Sequence, residues 1–349
     1  LFCVVAFLVQ ILAMGAILQT ATGISLIPAA LIASIVTLAY TWSGGILAVT
    51  LTDAVQYVII VIGVTLCAYL AIDHLGGFDA MMSILYSNPR FETNMKPLAN
   101  WSLVQFLGLF FSFLLGEFCA PYYIQRYAST KSAKDSKNGL LIFGVHWIFF
   151  MATTAAIGLA SMAIQPDVKP DLAFTNLIRD ILPPGITGLV FGALLAAVMS
   201  TGAAMINTSA VIYTRDIYNK FINTAATQAQ LLRQSRLSTL VVGGISIGVA
   251  IIFQDVFGLM IYMFKLWPSA ILPPLMCGLL WGKISPYAGA PAVIAGGLSF
   301  FLWSDKVLGE PFGIPANFIG IGMNCLVLFF VHQKMKGHKP EGPFLPDLN

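Results

Sequence analysis

The chain has 349 residues, of which 58% are hydrophobic and 9% are charged, whereas about 25% of residues are charged in an average soluble domain. This balance excludes a soluble enzyme. The net charge of +3 is too small and too scattered to form a face for nucleic acid. The composition therefore predicts an all-α integral membrane protein whose surroundings are the lipid bilayer.

The membrane spans follow from runs of apolar residues, because a helix of about 20 such residues crosses the hydrocarbon core of a bilayer. Ten runs of suitable length are separated by charges or by proline and glycine. Their approximate limits are residues 1–19, 24–40, 45–72, 101–119, 139–164, 188–213, 237–253, 256–281, 287–303 and 314–331. The short turns at 20–23 and 41–44 leave open whether the first runs form one long re-entrant element.

The loops between these spans predict their direction. Lysine and arginine concentrate in one alternating set of loops, and such loops face the cytoplasm. We therefore expect a multi-pass protein of the cell membrane whose first residue and C-terminus are both cytoplasmic.

One external loop carries an amphipathic pattern. Apolar side chains recur with helical spacing in the sequence Phe174, Leu177, Ile178, Ile181 and Leu182, and Pro183-Pro184-Gly185 ends the pattern. The pattern predicts a short helix lying on the membrane surface, with an irregular loop as the alternative.

Three charged residues fall inside predicted spans, where each costs about 2.5 to 3.5 kcal/mol to insert. Asp53 is either a cation ligand or proton carrier, or a carboxylate stabilised by the helix N-terminus. Glu117 and Lys265 either pair with each other or with loop residues, or meet a charged solute.

The sixth predicted span has a stripe of small and hydroxyl residues. Ala197, Ser200, Thr201, Ala204 and Thr208 share one face of a helix. Such a stripe serves plain helix packing, but its neighbouring hydroxyls can also supply oxygen ligands to a small cation.

The eighth predicted span is interrupted by Pro268, Pro273 and Pro274, each of which frees a backbone carbonyl and bends the helix. Transporters place ion and solute sites at such discontinuities. The sequence has no GxxxxGK[ST] phosphate loop, so the pattern gives no sign of an ATP-driven pump.

Three stretches resemble a known family, the sodium:solute symporters or solute carrier family 5. Residues 40–56 (YTWSGGILAVTLTDAVQ) resemble its glycine-pair turn and the Thr-Asp helix that follows. Residues 121–139 (PYYIQRYASTKSAKDSKNG) are similar to its QR-containing cytoplasmic loop, and residues 193–218 (ALLAAVMSTGAAMINTSAVIYTRDIY) to its sodium-site helix. The order of spans fits the family to about Val331.

The resemblance implies a LeuT-type helix bundle built from two inverted repeats. Residues 1–72 would be core helices three to five, 73–100 an extracellular loop, and 101–281 the second repeat with core helices six to ten. Residues 282–332 would be two peripheral helices and 333–349 a cytoplasmic tail. The first two core helices have no counterpart, so the sequence is expected to be an N-terminally truncated fragment.

The resemblance also implies ion ligands. The carbonyl of Ala197 and the hydroxyls of Ser200 and Thr201 match the family's conserved Na⁺ site. Asp53, with Thr201 and Ser200, matches a second Na⁺ site that some members have.

For the solute, the positions that bind hexose in the sugar-transporting branch hold Ala6, Phe113 and Trp147, which disfavours sugar. The expected contacts of the small-molecule solute are Phe113, Glu117, Trp147, Lys265 and Trp267. Because a buried ammonium group favours a carboxylate partner, we expect an organic anion or an amino-acid-like zwitterion.

The expected activity is sodium-coupled symport by alternating access, and not an enzymatic reaction. A transporter-like solute sensor and a passive channel are the alternatives.

Overall fold

The computed structural model describes residues 2–92, 101–250, 256–281 and 284–336, and its regular structure within these ranges is helical. The α-helices are α1 (Phe2–Thr22), α2 (Leu26–His74), α3 (Phe78–Ser87), α4 (Pro89–Glu92), α5 (Leu103–Phe118), α6 (Pro121–Ala128), α7 (Ala133–Ile164), α8 (Pro170–Ile181), α9 (Ile186–Ile212), α10 (Gln228–Ala250), α11 (Val256–Trp281), α12 (Gly289–Trp303) and α13 (Ala316–Met335). A π-helical segment, Tyr213–Ile222, continues α9, and 3₁₀ turns cover Pro286–Ala288 and Pro311–Gly313. Residues 93–100 of the predicted extracellular loop, Lys283, and residues 337–349 of the predicted tail lie outside the described residues.

Eight of the described helical segments are long and apolar enough to cross a membrane, where the sequence predicted ten spans. The predicted second and third spans are joined in α2, which has 49 residues. The predicted seventh span falls on α10, whose first turns carry Arg233 and Arg236 and which is not among these eight segments. The difference therefore comes from one merged pair and one more polar helix.

A glycine bends α2 in its middle. Gly45 has φ of 58° and ψ of −152°, a backbone conformation that is essentially reserved for glycine. The predicted break at residues 41–44 is thus a kink within one helix, and the turn at residues 23–25 separates α1 from α2.

The described chain divides into two compact units. Unit 1 contains residues 1–97 and 125–257, and unit 2 contains residues 98–124 and 258–349. These units interleave along the sequence, whereas the predicted repeats at 1–72 and 101–281 are consecutive. The predicted division into repeats and peripheral helices remains a prediction.

Unit 1 has an apolar core at the end of its bundle where α3 and α8 pack. Ile17, Val64, Met81, Leu177 and Val190 belong to one buried cluster contributed by α1, α2, α3, α8 and α9. Leu177 and Ile178 of α8 are fully buried, so the predicted helix is observed and its apolar face packs on neighbouring helices. Its position on the membrane surface stays a prediction.

Unit 2 is held by close backbone approach and buried amides. Gly296 of α12 lies so near α11 that a β-carbon there would come within 2.2 Å of the Ser269 carbonyl oxygen. The Asn324 amide donates to the carbonyls of Ser269 (3.0 Å) and Ala270 (2.6 Å). These two carbonyls lack their helical donors, because residues 273 and 274 are prolines without N–H groups.

Candidate functional site

The predicted sodium ligands on α9 form one local group in unit 1. The hydroxyls of Ser200 and Thr201 both donate to the carbonyl oxygen of Ala197, at 2.9 and 3.0 Å. The spacing i, i+3 and i+4 produces this convergence, because these residues follow one another on a helix face. Three oxygen atoms are thereby gathered at one point of a helix.

Asp53 lies on α2, also in unit 1, and has a partner that the sequence did not identify. Its Oδ2 accepts from Nη2 of Arg126 at 2.5 Å. The side chain of Asp53 is 18% exposed, and its other oxygen, Oδ1, is buried with no hydrogen-bond partner among the described residues. The carboxylate therefore has one oxygen satisfied by a cation and one still available to accept.

The interpretation of Asp53 as a carboxylate stabilised by a helix end is less consistent with this geometry. Asp53 stands eight residues beyond the kink at Gly45, and the effect of a helix terminus falls off within the first turn. Arg126 supplies the positive charge instead.

The two helices that carry these groups pack closely. A β-carbon on Gly63 of α2 would lie 2.5 Å from that of Ala193 on α9. Nearer the candidate ligands, the Tyr40 hydroxyl donates to the carbonyl of Met199 at 3.0 Å. Tyr40 also forms a side-chain hydrogen bond with Gln56, so it links this part of α2 to the segment of α9 just before Ser200.

Gln56 adds a second unsatisfied oxygen beside Asp53. Its Oε1 is buried without a hydrogen-bond partner in the described part of the chain, and it follows Asp53 by three residues on the same helix face. Two buried acceptor oxygens on one helix face, neither with a donor among the described residues, are groups that a hard cation can satisfy.

Gln125 and Arg126 of α6, the QR segment, contact both α9 and α2. Gln125 accepts from the Thr208 hydroxyl of α9 at 2.6 Å, and the next residue, Arg126, pairs with Asp53 of α2. Thr208, predicted as part of the α9 stripe, thus binds this segment.

The predicted solute contacts of unit 2 do not form the ion pair that was one of the alternatives. Glu117 accepts from the Tyr122 hydroxyl at 3.0 Å. Lys265 Nζ lies 3.4 Å from Glu310 Oε1, so its carboxylate partner comes from the loop between α12 and α13. The alternative of a loop contact is therefore the one observed for Lys265.

Glu310 serves two partners. Its Oε1 also accepts from the backbone N–H of Ala316 at 3.1 Å, at the start of α13. Glu310 itself has φ of 49°, and Phe312 has φ of 60°, so the loop adopts the left-handed conformation at two residues other than glycine.

Lys265 and Glu310 line a cavity of about 290 Å³ within unit 2, together with Trp101, Gln105, Leu109, Ile261 and Pro315. The other predicted contacts of this unit lie elsewhere. Phe113 contacts the ring of Phe264 at 4.8 Å, and the indole of Trp267 donates to the carbonyl of Cys119 at 3.1 Å.

Trp147 belongs to unit 1. Its ring stacks between Phe143 and Phe150, at 5.3 and 5.7 Å, and it is 43% exposed. The five predicted solute contacts are thus distributed over both units.

Three residues of the site were not assigned a role from the sequence: Arg126, Gln56 and Glu310. The QR motif held a signal for Arg126, since a loop arginine beside a buried carboxylate in a predicted span is a natural partner. No local pattern marks Glu310, which is 45 residues from Lys265.

Comparison with known proteins bears on the family. The model of the family described as "SSF: Sodium:solute symporter family" matches residues 1–296. The osmoregulated proline transporter OpuE of Bacillus subtilis (strain 168) is 27% identical over 86% of this chain, which covers 62% of that relative. The sodium/proline symporter of Escherichia coli (strain K12) is 26% identical over 77% of this chain, which covers 55% of it. The chain thus spans little more than half the length of these relatives.

A solved structure of a Na⁺-coupled sialic acid symporter, in a substrate-bound outward-open state, matches 97% of this chain and 74% of its own with a TM-score of 0.73 and 20% identity. The predicted fold, an all-α multi-pass membrane bundle of the LeuT type, is confirmed by this likeness together with the apolar helices. The family match covers most of the chain and agrees with the three motifs that resemble it. The chain belongs to the sodium:solute symporter family.

Proposed function

We propose that the protein carries a small organic solute across the membrane together with Na⁺, by alternating access. The observation that carries the proposal is Oδ1 of Asp53, a buried carboxylate oxygen that has no hydrogen-bond partner among the described residues and lies in the same unit as the hydroxyl pair of α9. The names of the proline-transporting relatives support the same activity.

The proposed Na⁺ ligands are the carbonyl of Ala197, the hydroxyls of Ser200 and Thr201, and the carboxylate of Asp53. All are oxygen atoms, which hard cations prefer. Ala197, Ser200 and Thr201 would serve one ion, and Asp53 would serve a second ion shared with Thr201 and Ser200.

Arg126 has a defined part in this proposal. In the absence of Na⁺, its guanidinium compensates the charge of Asp53, because an unpaired carboxylate in a membrane bundle is costly. A Na⁺ ion at Oδ1 would compete for the same negative charge. Ion binding would thereby weaken the contact of α2 with the segment that holds Arg126.

The available energy suits accumulation of a solute. One Na⁺ moving down a potential of about 100 mV releases about 2.3 kcal/mol, and a tenfold concentration gradient adds about 1.4 kcal/mol. Together they support about 500-fold accumulation. Coupling requires that Na⁺ favour one conformation by differential affinity.

For the solute, we propose a zwitterionic amino acid such as proline. The relatives named for proline support this class. Lys265 already has a carboxylate partner in Glu310, which removes the argument for a solute that is only an anion. An ammonium and a carboxylate in one cavity can receive the opposite charges of a zwitterion. Phe113, Glu117, Trp147 and Trp267 remain further candidates for solute contact.

The test is sodium-stimulated proline uptake by the intact protein in proteoliposomes. We expect Ser200→Ala combined with Thr201→Ala to abolish the sodium-stimulated component. The matched control is Thr153→Ala combined with Thr154→Ala, because these adjacent hydroxyls of α7 also donate only to carbonyls of their own helix.

Sodium-independent uptake by the Ser200 and Thr201 double variant at the original rate would overturn the assignment. Flux that does not saturate with solute and persists without a Na⁺ gradient would indicate a channel instead. A thermal-shift panel of amino acids and carboxylates, with and without Na⁺, would identify the solute class.

A further inference from the structure

A groove of about 620 Å³ lies where the segment after α6 turns into α7, within unit 1. Lys131 and Lys137 line it, together with Thr130, Ser136 and Leu140. We call these five residues and the space they enclose the basic groove. It is formed by residues that take no part in the candidate sodium site.

The positive charge of the basic groove is not compensated locally. Lys131, Lys137 and the neighbouring Lys134 are exposed, and none has an ion pair with the part of the chain that the structure describes. The nearest carboxylate in the sequence, that of Asp135, accepts a hydrogen bond from the Ser132 hydroxyl at 2.7 Å. The backbone N–H of Asp135 donates to the same hydroxyl oxygen at 3.1 Å, so Ser132 caps the start of α7. This segment therefore carries three ammonium groups and one carboxylate, which is already hydrogen bonded.

The basic groove adjoins the apolar surface of a candidate membrane span, α7. From Leu140 onwards α7 exposes a continuous apolar surface, with Leu141, Ile142, Val145 and Ile148 each more than 60% exposed. Such a surface on a candidate membrane span contacts acyl chains. Lys137 lies about one turn before this surface, and Lys131 lies just before α7 begins, so both are on the side of it where lipid headgroups would be.

We propose that the basic groove binds the headgroup of an anionic phospholipid. The ammonium groups of Lys131 and Lys137 would contact the phosphate, and the Ser136 hydroxyl can donate to it. The acyl chains would lie along the apolar surface that starts at Leu140. This continuity of basic and apolar surface favours a lipid over a soluble phosphate, which has nothing to place on the apolar part. Lysines next to a membrane span attract anionic lipids in general.

The experiment measures phospholipid binding to the intact protein in detergent by native mass spectrometry, with phosphatidylglycerol as the anionic probe and phosphatidylcholine as the neutral one. We expect Lys131→Gln combined with Lys137→Gln to weaken phosphatidylglycerol binding about 30-fold. This follows because each lysine near an anionic surface contributes about 1 kcal/mol and 1.4 kcal/mol is tenfold. Phosphatidylcholine binding should not change.

The matched control is Lys334→Gln combined with Lys336→Gln, which removes the same charge from the end of α13 and the residue after it. Lys334 and Lys336 also adjoin a candidate membrane span but are not among the residues that line the basic groove, so this control should weaken phosphatidylglycerol binding far less than the groove variant. Lys131→Arg combined with Lys137→Arg should retain binding, which separates loss of charge from loss of folding.

The proposal is overturned if the glutamine variant binds phosphatidylglycerol within twofold of the original protein, or if the control loses binding equally. It is also overturned if glycerol phosphate, at the same concentration as the lipid, displaces it, because the site would then be one for a soluble phosphate.

Discussion

The two units differ in the charge of the polar groups that they bury between helices. In unit 2, the Asn324 amide meets two carbonyls that prolines leave without donors, so polar groups close a packed junction. In unit 1, a carboxylate and an amide, Asp53 and Gln56, each keep a buried oxygen without a donor among the described residues. A buried oxygen without a donor is therefore not in itself a sign of an ion site, because Oδ1 of Asn324 has no donor among the described residues either. The negative charge of Asp53 is what suits its open oxygen to a cation.

The largest expected effect comes from removing the contact of Asn324 with α11 in unit 2. Asn324→Leu leaves the carbonyls of Ser269 and Ala270 buried without donors, and each such group costs about 1 to 3 kcal/mol. We expect about 3 kcal/mol of destabilisation, measured as a lowered thermal unfolding midpoint in detergent. Met323→Leu, on the exposed side of the same helix, should have little effect. An unchanged midpoint in Asn324→Leu would show that another donor serves these carbonyls.

The second largest expected effect comes from removing the negative charge of Asp53 in unit 1. Asp53→Asn keeps the size of the side chain but removes its charge, so we expect sodium-stimulated uptake to fall at least about 100-fold, or about 2.7 kcal/mol. Asp216→Asn is the control, because that carboxylate pairs with Lys220 in an exposed position of the same unit. Normal sodium dependence in Asp53→Asn would remove Asp53 from the ligand set.

A smaller effect is expected for Arg126, whose removal should strengthen Na⁺ binding where the Asp53 substitution weakens it. Removing this competitor for Asp53 should tighten Na⁺ binding, because the ion-free state loses its compensating charge. A charged hydrogen bond contributes about 1.5 to 3 kcal/mol, and the partial exposure of Arg126 reduces this. We expect the sodium concentration for half-maximal uptake to fall about 5-fold to 10-fold in Arg126→Ala. Arg236→Ala, which removes a contact with Trp42 and Ser43, should leave it unchanged, and a rise in Arg126→Ala would contradict competition.

The smallest effect tests the ion pair of unit 2. Glu310→Gln should cost about 1 kcal/mol in thermal stability, since the pair is long and one fifth exposed. Exchange of the two charges, Lys265→Glu with Glu310→Lys, should recover part of the loss. If the double exchange is no better than either single change, the two side chains do not stabilise each other.

Composition and periodicity predicted what depends on neighbours in sequence. Apolar runs located the spans, and the spacing of Leu177 and Ile178 predicted the buried face of α8. The same local rule brought Ser200 and Thr201 to the carbonyl of Ala197. In each case the geometry of a single helix decides the outcome.

Partners distant in sequence could not be predicted in this way. Arg126 is 73 residues from Asp53, and Asn324 is about 55 residues from the carbonyls it serves. The prolines of α11 indicated that carbonyls were free, but not which helix would supply the donor. For Glu117 and Lys265 the sequence left a mutual pair, a loop contact and a charged solute open for the same reason, because nothing near Lys265 in sequence pointed to Glu310.

The loop between α12 and α13 holds stored conformational energy. Two residues with side chains, Glu310 and Phe312, occupy a region of backbone space that costs each about 1 kcal/mol or more, while the Phe312 ring is almost entirely exposed. The Glu310 carboxylate offsets that cost by binding Lys265 and the first turn of α13 together. Neutralising this one carboxyl group would therefore weaken both contacts at once and let the backbone strain relax. The backbone amides of the loop would then exchange their hydrogens with water faster.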